Sequence, residues 1–500
     1  MTTEHPPPSQ PSVIVILTDQ QRWDTTGVHG NPADVTPEFD RMARAGTHLE
    51  HAITPQPVCA PARAALQTGC WPTTTGVHRN GLPLPDDVPT LAGAFADAGY
   101  ATGYIGKWHL AGQGPGEGAG PVPAERRGGY QRWLASELLE FTSDAYRTVV
   151  WDEEGRPVRL PGYRSDALFD AAIRFVADHH DRPFFLFLSL LEPHHQNATD
   201  DYPAPEGYRE RYEGRWLPPD LAALSPGAPQ GGALRHLAGY LGQIKRVDEG
   251  IGRLRDALHS LDLTDRTVLA YTADHGSHFR TRNTEYKRSA HDASVRVPMA
   301  LTGPGFTGGG RVRHPVSTLD LPPTLLAAAG VPVPASMQGR SFLPLLGGGT
   351  DPGRPEEVFV QISESQVGRV VRTERWKYAV AAPEGEVDPW HDPDAPRYQE
   401  TELYDLAADP YELDNLVGLD SHRAVADRMR AGLLAWLERA GERPAEVERA
   451  PARPARLQRR ADPEARELPW QGLPFGHRAA AGSLSADGEP GRVNRESPSR

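Results

Sequence analysis

Four apolar runs constrain the fold of this chain most: VIVILT (13–18), ATGYIG (101–106), PFFLFLSL (183–190) and TVLAYTA (267–273). Each is short, rich in β-branched or aromatic residues, and without regular polar alternation. That is the pattern of strands covered on both faces, as in a mostly parallel sheet. Helical patterns lie between them. In LAGYLGQIKRVDEGIGRLRDAL, the residues Leu237, Tyr240, Leu241, Ile244, Val247, Ile251 and Leu254 fall on one stripe at helical spacing. Strands alternating with helices predict an α/β fold: a large mixed, mostly parallel sheet flanked by helices.

At 500 residues the chain exceeds what one hydrophobic core usually supports. The texture changes near residue 335, and FVQISESQVGRVVRTERWKYAV alternates like antiparallel strands. LYDLAADPYELDNL comes next as a turn-rich closing motif, and then HRAVADRMRAGLLAWLERAG as a helix. The expected organisation is a disordered N-terminus over 1–10, a large unit over 11–335, and a smaller C-terminal α+β subdomain with an antiparallel sheet over 336–445. From 446 to 500 the chain is rich in Ala, Pro, Arg and Glu, and a disordered tail is expected.

The formal charge is −13, from 53 Lys and Arg against 66 Asp and Glu. That argues against a general binder of nucleic acid or anionic membrane, although a local cationic pocket remains compatible with it. The opening MTTEHPPPSQPS has no basic region followed by an apolar core, and PFFLFLSLL (183–191) is too short to span a bilayer. Two cysteines do not make a disulfide framework. The expectation is a cytoplasmic protein with no nucleic-acid or membrane partner.

The residues at the end of each apolar run carry the chemistry. The first run ends in Asp19-Gln20, the second in Lys107-Trp108-His109, the third leads into LEPHH with His194 and His195, and the fourth ends in Asp274-His275. Ligands of open parallel sheets bind outside the carboxyl ends of the strands. Taken singly, an Asp after a strand is usually a cap or turn residue, Lys107 a solvated cation, and a lone His a satisfied structural one. Four such events at four strand ends point to one site. Oxygen donors from Asp19, Gln20 and Asp274 suit a hard divalent cation, Ca²⁺ or Mg²⁺, better than zinc. Lys107, His109, His194 and Lys287 add cations and proton donors, and a metal ringed by cations fits a phosphate or sulfate ester.

Cys59 supplies a candidate nucleophile. In PVCAPARAALQTG, Pro61 lies near the first helical position, so Cys59 stands at the positive end of a helix, with Arg63 one turn on along the same face. An isolated free cysteine is more often a buried inert one, the reading given to Cys70.

Cys59-Ala60-Pro61-Ala62-Arg63 resembles the C-x-P-x-R core of the type I sulfatases of the alkaline-phosphatase-like superfamily. The likeness extends through VIVILTDQ, VTPEFDRMARAGTHLEHA, GKWHL, EPH, TADHG and KRSAHDASVRVPM to LYDLAADPYELDNL. It implies an alkaline-phosphatase-like fold and a sulfuric ester hydrolase. It further implies that a separate formylglycine-generating enzyme oxidises Cys59 to formylglycine, whose hydrated aldehyde is the nucleophile. By the same resemblance Asp19, Gln20, Asp274 and His275, with residue 59, would hold the cation, Ca²⁺ first, with Mg²⁺ or Mn²⁺ also possible. Gln20 departs from the commoner second Asp and His275 from the commoner Asn, which makes the site softer. Arg63 would hold the hydrate, Lys107 and His109 would support hydrate and sulfate, and Lys287 would contact the sulfate. His194 would contact it too and protonate the leaving oxygen. At the tyrosine usual before VRVP stands His291, a residue with a bearing on the substrate.

The diol explains the need for an aldehyde: one hydroxyl attacks sulfur in line with the leaving alcohol, and the other, deprotonated by His109, expels sulfate. Two other readings stay open. One is a phosphodiester or phosphonate monoester hydrolase using the same aldehyde. The other is a non-catalytic metal- and anion-binding relative with Cys59 unconverted. A two-zinc phosphatase lacks a second set of His and Asp ligands. The organic half of the substrate, aryl, alkyl or saccharide, is not legible, although the stretch DDYPAPEGYRERYEGRWLPPD (200–220) is a candidate rim.

Overall fold

The computed structural model describes residues 10–112, 120–224, 233–453 and 459–460. The expected disordered N-terminus lies outside these residues except for its last position, as does most of the expected tail. The four apolar runs become β1 (Ser12–Thr18), β2 (Ala101–Lys107), β3 (Phe184–Ser189) and β4 (Thr267–Ala273). They are neighbours in a ten-stranded sheet, in the spatial order β4-β1-β3-β2, all parallel. Antiparallel additions close both flanks, Met299–Thr302 beside β4 and the Thr148–Trp151/Pro157–Leu160 ribbon on the far side.

Both faces of the central strands are covered, which is why the runs show no polar alternation. Val13, Val15, Leu17, Phe185 and Phe187 point into one core, and Ile14, Ile16, Leu186 and Leu188 into the other. The first core is roofed by the helix α1 (Cys59–Thr68) and its neighbours, and the second by α2 (Ala233–Ser260) and the helix Arg164–Asp178. All seven residues of the stripe in α2 are buried.

The C-terminal unit is an antiparallel meander of β5 (Val358–Ile362), β6 (Gly368–Arg372), β7 (Trp376–Ala381) and β8 (Arg397–Asp405), covered by α3 (Arg423–Arg439). Its alternation has two destinations. Phe359, Val371, Tyr378 and Val380 pack with Met429, Leu433 and Leu437 of α3, whereas Val358, Val360, Ile362 and Val370 pack with Ile53, Ala290 and Val295 of the large unit. The smaller sheet is therefore pressed against the segment that carries Lys287 and His291.

One expectation is corrected here. Glu446–Glu448, inside the stretch expected to be disordered, forms a strand parallel to Arg397–Gln399 at the edge of the small sheet. An open edge offers unpaired backbone groups to any segment, and Arg397 adds an ion pair to Glu448 at 2.7 Å.

Candidate active site

The carboxyl ends of β1 to β4 meet at one place, as the strand-end rule requires. The Asp274 N–H donates to the Thr18 carbonyl at 3.1 Å, and Asp274 Oδ1 accepts from the N–H groups of Gln20 (3.1 Å) and His275 (2.8 Å). The ends of β1 and β4 are thereby locked together. Gln20 and His109 both take positive φ, 69° and 61°, a strained conformation for residues with a Cβ that concentrates at functional sites.

Cys59 opens α1, where the helix dipole favours an anion. Its Sγ lies 2.8 Å from Lys287 Nζ, 3.3 Å from His275 Nε2 and 3.6 Å from Asp19 Oδ1. Arg63, one turn along, sends Nη2 to Asp19 Oδ2 (3.0 Å) and Asp274 Oδ2 (3.2 Å), and Nη1 to the Lys107 carbonyl (2.9 Å) and Ser189 Oγ (2.7 Å). Lys107 Nζ sits between Asp19 Oδ2 and Glu140 Oε1, 2.7 Å from each. Lys287 Nζ also reaches His275 Nε2 at 2.9 Å and His194 Nε2 at 3.5 Å.

All of these groups are buried, so their charges act through a poorly screening medium. Burial pushes the Cys59 thiol up, but the Lys107, Lys287 and His275 charges and a hydrogen bond from His109 outweigh it and hold the thiol well below its usual value. Burial and the Cys59 charge push Asp19 up, yet Lys107, His194 and Arg63 hold it below the usual carboxylate range. Asp274 goes the other way, raised by burial and by Asp19. Burial opposes the charge on Lys107, but Asp19, Cys59 and Glu140 keep it protonated.

The donor set fits a divalent cation. Ligand atoms of Asp19, Cys59, Asp274 and His275 all lie within 4.8 Å of one another. His275 Nδ1–H donates to the Gly276 carbonyl at 2.9 Å, which turns Nε2 to the two carboxylates, 3.4 and 3.5 Å away. Asp274 Oδ2 is buried and, apart from its ion pair with Arg63, accepts no hydrogen bond from the described residues. Gln20 is adjacent, with its amide NH₂ donating to Tyr202 Oη at 3.1 Å.

The residues singled out from sequence for this site are gathered here, with one placed elsewhere. His291 turns to the C-terminal sheet, 3.3 Å from Tyr404 Oη and 3.8 Å from Glu402, and both contacts lead away from the cluster. The 200–220 stretch is rooted beside the site rather than simply rimming it: Tyr202 is fully buried against Gln20, and Asp220 pairs with Arg22 at 2.9 Å. Sequence reasoning missed Glu140, Ser189 and Asn80, whose Oδ1 accepts the Ala60 N–H at 3.0 Å.

Comparison with known proteins decides the family. Residues 11–331 match the sulfatase family model, and residues 284–439 match the N-sulphoglucosamine sulphohydrolase C-terminal model. This chain belongs to the sulfatase family. It is 29% identical to the ulvan-active sulfatase of Formosa agariphila, over 87% of this chain and 82% of that one. Arylsulfatase A of Bos taurus is 30% identical, over 84% of this sulfatase and 85% of its relative. A solved structure of a putative sulfatase from Bacteroides fragilis superposes with a TM-score of 0.74 at 25% identity, covering 88% of this chain and 98% of that one. The molecule is accordingly a sulfuric ester hydrolase built on the sulfatase fold.

Proposed function

We propose that this sulfatase cleaves a sulfate monoester with a formylglycine hydrate made from Cys59 and a divalent cation, Ca²⁺ before Mg²⁺ or Mn²⁺. The observation that carries this reading is the convergence on Cys59 at the N-terminus of α1, with Lys287 Nζ 2.8 Å and His275 Nε2 3.3 Å from its sulfur. Asp19, Gln20, Asp274, His275 and residue 59 would hold the cation, which offsets their charge and polarises the ester. The hydrate supplies two hydroxyls, one to attack and one to release the product.

The chain's own groups do the rest. Lys287 binds sulfate oxygens, and the dipole of α1 favours the charge that grows on them. Arg63 and Lys107 fix Asp19 and the end of β2, so the reacting atoms meet a prearranged field. His194 Nδ1–H is committed to the His195 carbonyl at 2.6 Å, leaving Nε2 to carry the exchangeable proton. Protonated there, it acts as general acid on the leaving oxygen. His109, buried with no hydrogen bond to Nδ1 among the described residues, takes the proton from the second hydroxyl.

Maturation requires the formylglycine-generating enzyme as a partner. The ulvan-active relative supports a saccharide sulfate as the first substrate class to try, with aryl and alkyl sulfates as the other arms. The test joins two measurements: the mass of the peptide holding residue 59, and release of sulfate against phosphate from matched aryl esters. A peptide lighter than the cysteine form together with faster sulfate release is the expected result. Faster phosphate release would move the assignment to a phosphodiester or phosphonate monoester hydrolase. An intact thiol without turnover would make the chain a binding relative.

A further inference from the structure

The C-terminal sheet reaches the catalytic centre through one carboxylate. Glu364 lies in the turn between β5 and β6, and its side chain is 0% exposed. One oxygen accepts the Asn80 backbone N–H at 2.7 Å, and the other accepts Arg288 Nε at 2.5 Å. Each partner leads directly to the chemistry. Asn80 Oδ1 takes the Ala60 N–H, a donor in the first turn of α1, where the N-cap residue Val58 offers no side-chain acceptor. Arg288 is joined by a peptide bond to Lys287, whose Nζ touches Cys59 Sγ. The contacts form a closed circuit that runs from Cys59 through Ala60, Asn80, Glu364, Arg288 and Lys287 back to Cys59.

Two members of the circuit hold unfavourable backbone angles, Glu364 with φ of 65° and Arg288 with φ of 69°. Such conformations persist only where the surroundings over-determine them. We propose that Glu364 is a positioning residue for sulfate ester hydrolysis: it sets the start of α1 and Lys287 in register across residue 59. The inference rests on the role proposed for residue 59. It assigns to the smaller unit a part in the reaction beyond covering the larger one.

Glu364→Gln is nearly isosteric, but an amide has one acceptor oxygen and one NH₂, so either Asn80 N–H or Arg288 Nε must face a donor. The comparison variant is Glu442→Gln, a buried carboxylate of the same unit that binds Arg369 at 2.7 Å and Gln361 at 2.6 Å. With 4-nitrophenyl sulfate as probe, and rates normalised to folded, aldehyde-bearing enzyme, Glu364→Gln is expected to lose about 10²-fold in kcat, the scale set by a small misplacement of reacting groups, with KM changed less than about threefold. Hydrogen exchange of the Ala60 amide should accelerate in Glu364→Gln, whether or not residue 59 is converted, and stay unchanged in Glu442→Gln. Glu442→Gln should lower Tm and keep kcat.

A wild-type kcat in Glu364→Gln would overturn the proposal, even if Tm fell. If that variant does not fold, Asn80→Ala decides: a lower kcat at steady KM supports the circuit, and an unchanged kcat overturns it. Fully converted wild-type enzyme that releases no sulfate would instead refute the reading of residue 59, and the exchange experiment would still report on the link.

Discussion

His194 and residue 59 carry the account at the scale of single groups. Because the His195 carbonyl holds His194 Nδ1–H, only Nε2 can exchange a proton, and Lys287 lies 3.5 Å from it. His194→Gln should therefore lower kcat by about 10²–10⁴-fold for poor leaving groups. The loss should shrink as the leaving alcohol becomes more acidic; a penalty independent of leaving-group pKa, read from a series of aryl sulfates, would remove His194 as the acid. Cys59→Ser tests the diol. A plain alcohol can be sulfated but has no second hydroxyl to expel the product, so intact mass should show one sulfate retained and turnover should stop after one event. Steady turnover by Cys59→Ser would sink the mechanism.

At the level of strands and helices, the site depends on β2 and β3 approaching closely enough for Arg63 to bridge the Lys107 carbonyl and Ser189 Oγ. Gly106, one residue before Lys107, makes that approach possible: it takes φ of 112°, and a Cβ there would lie 1.8 Å from the Ser189 carbonyl oxygen. Gly106→Ala must push β3 away and carry Lys107 and Ser189 with it. Its kcat should fall by at least about 10²-fold and its Tm should drop; unchanged kinetics would mean that this register is not required. The same elements show how far sequence reads. The four runs and their terminal Asp, Lys and His residues were legible because burial on both faces writes itself as unbroken apolar sequence. Glu140 and Ser189 were not: each meets Lys107 or Arg63 only once β2, β3 and the short helix Leu139–Thr142 are assembled, and nothing in their neighbouring residues encodes that meeting. His291 was singled out by position in a motif, but packing of the smaller sheet turned it to Tyr404. Glu446–Glu448 has tail-like composition, and a free sheet edge recruited it.

Over the whole molecule, burial of ionisable groups ties stability to pH. Burial lowers His48 and His195 to about 4, His278 to about 3 and His51 to about 2, from an ordinary value of 6.5. Between the folded value and 6.5 each is neutral in the fold and charged when unfolded, so the unfolded chain binds more protons and stability falls as pH falls. Two carboxyls, Asp248 and Glu412, raised by burial to about 7, work in the opposite sense and lose their contribution as pH rises through 7. The histidines outnumber them. Stability should therefore rise from pH 4.5 to 6.5, by an amount on the order of a few kcal/mol. Thermal unfolding across that window checks it, and a flat or falling Tm would contradict it. None of the described helices is long and apolar enough to cross a membrane. The most direct test of the central claim uses preparations that differ only in how much of residue 59 has been converted. Sulfate release from an aryl sulfate, plotted against the aldehyde fraction measured by peptide mass, should give a straight line through the origin. Turnover in a preparation whose residue 59 is wholly thiol, or none in one wholly converted, would contradict it.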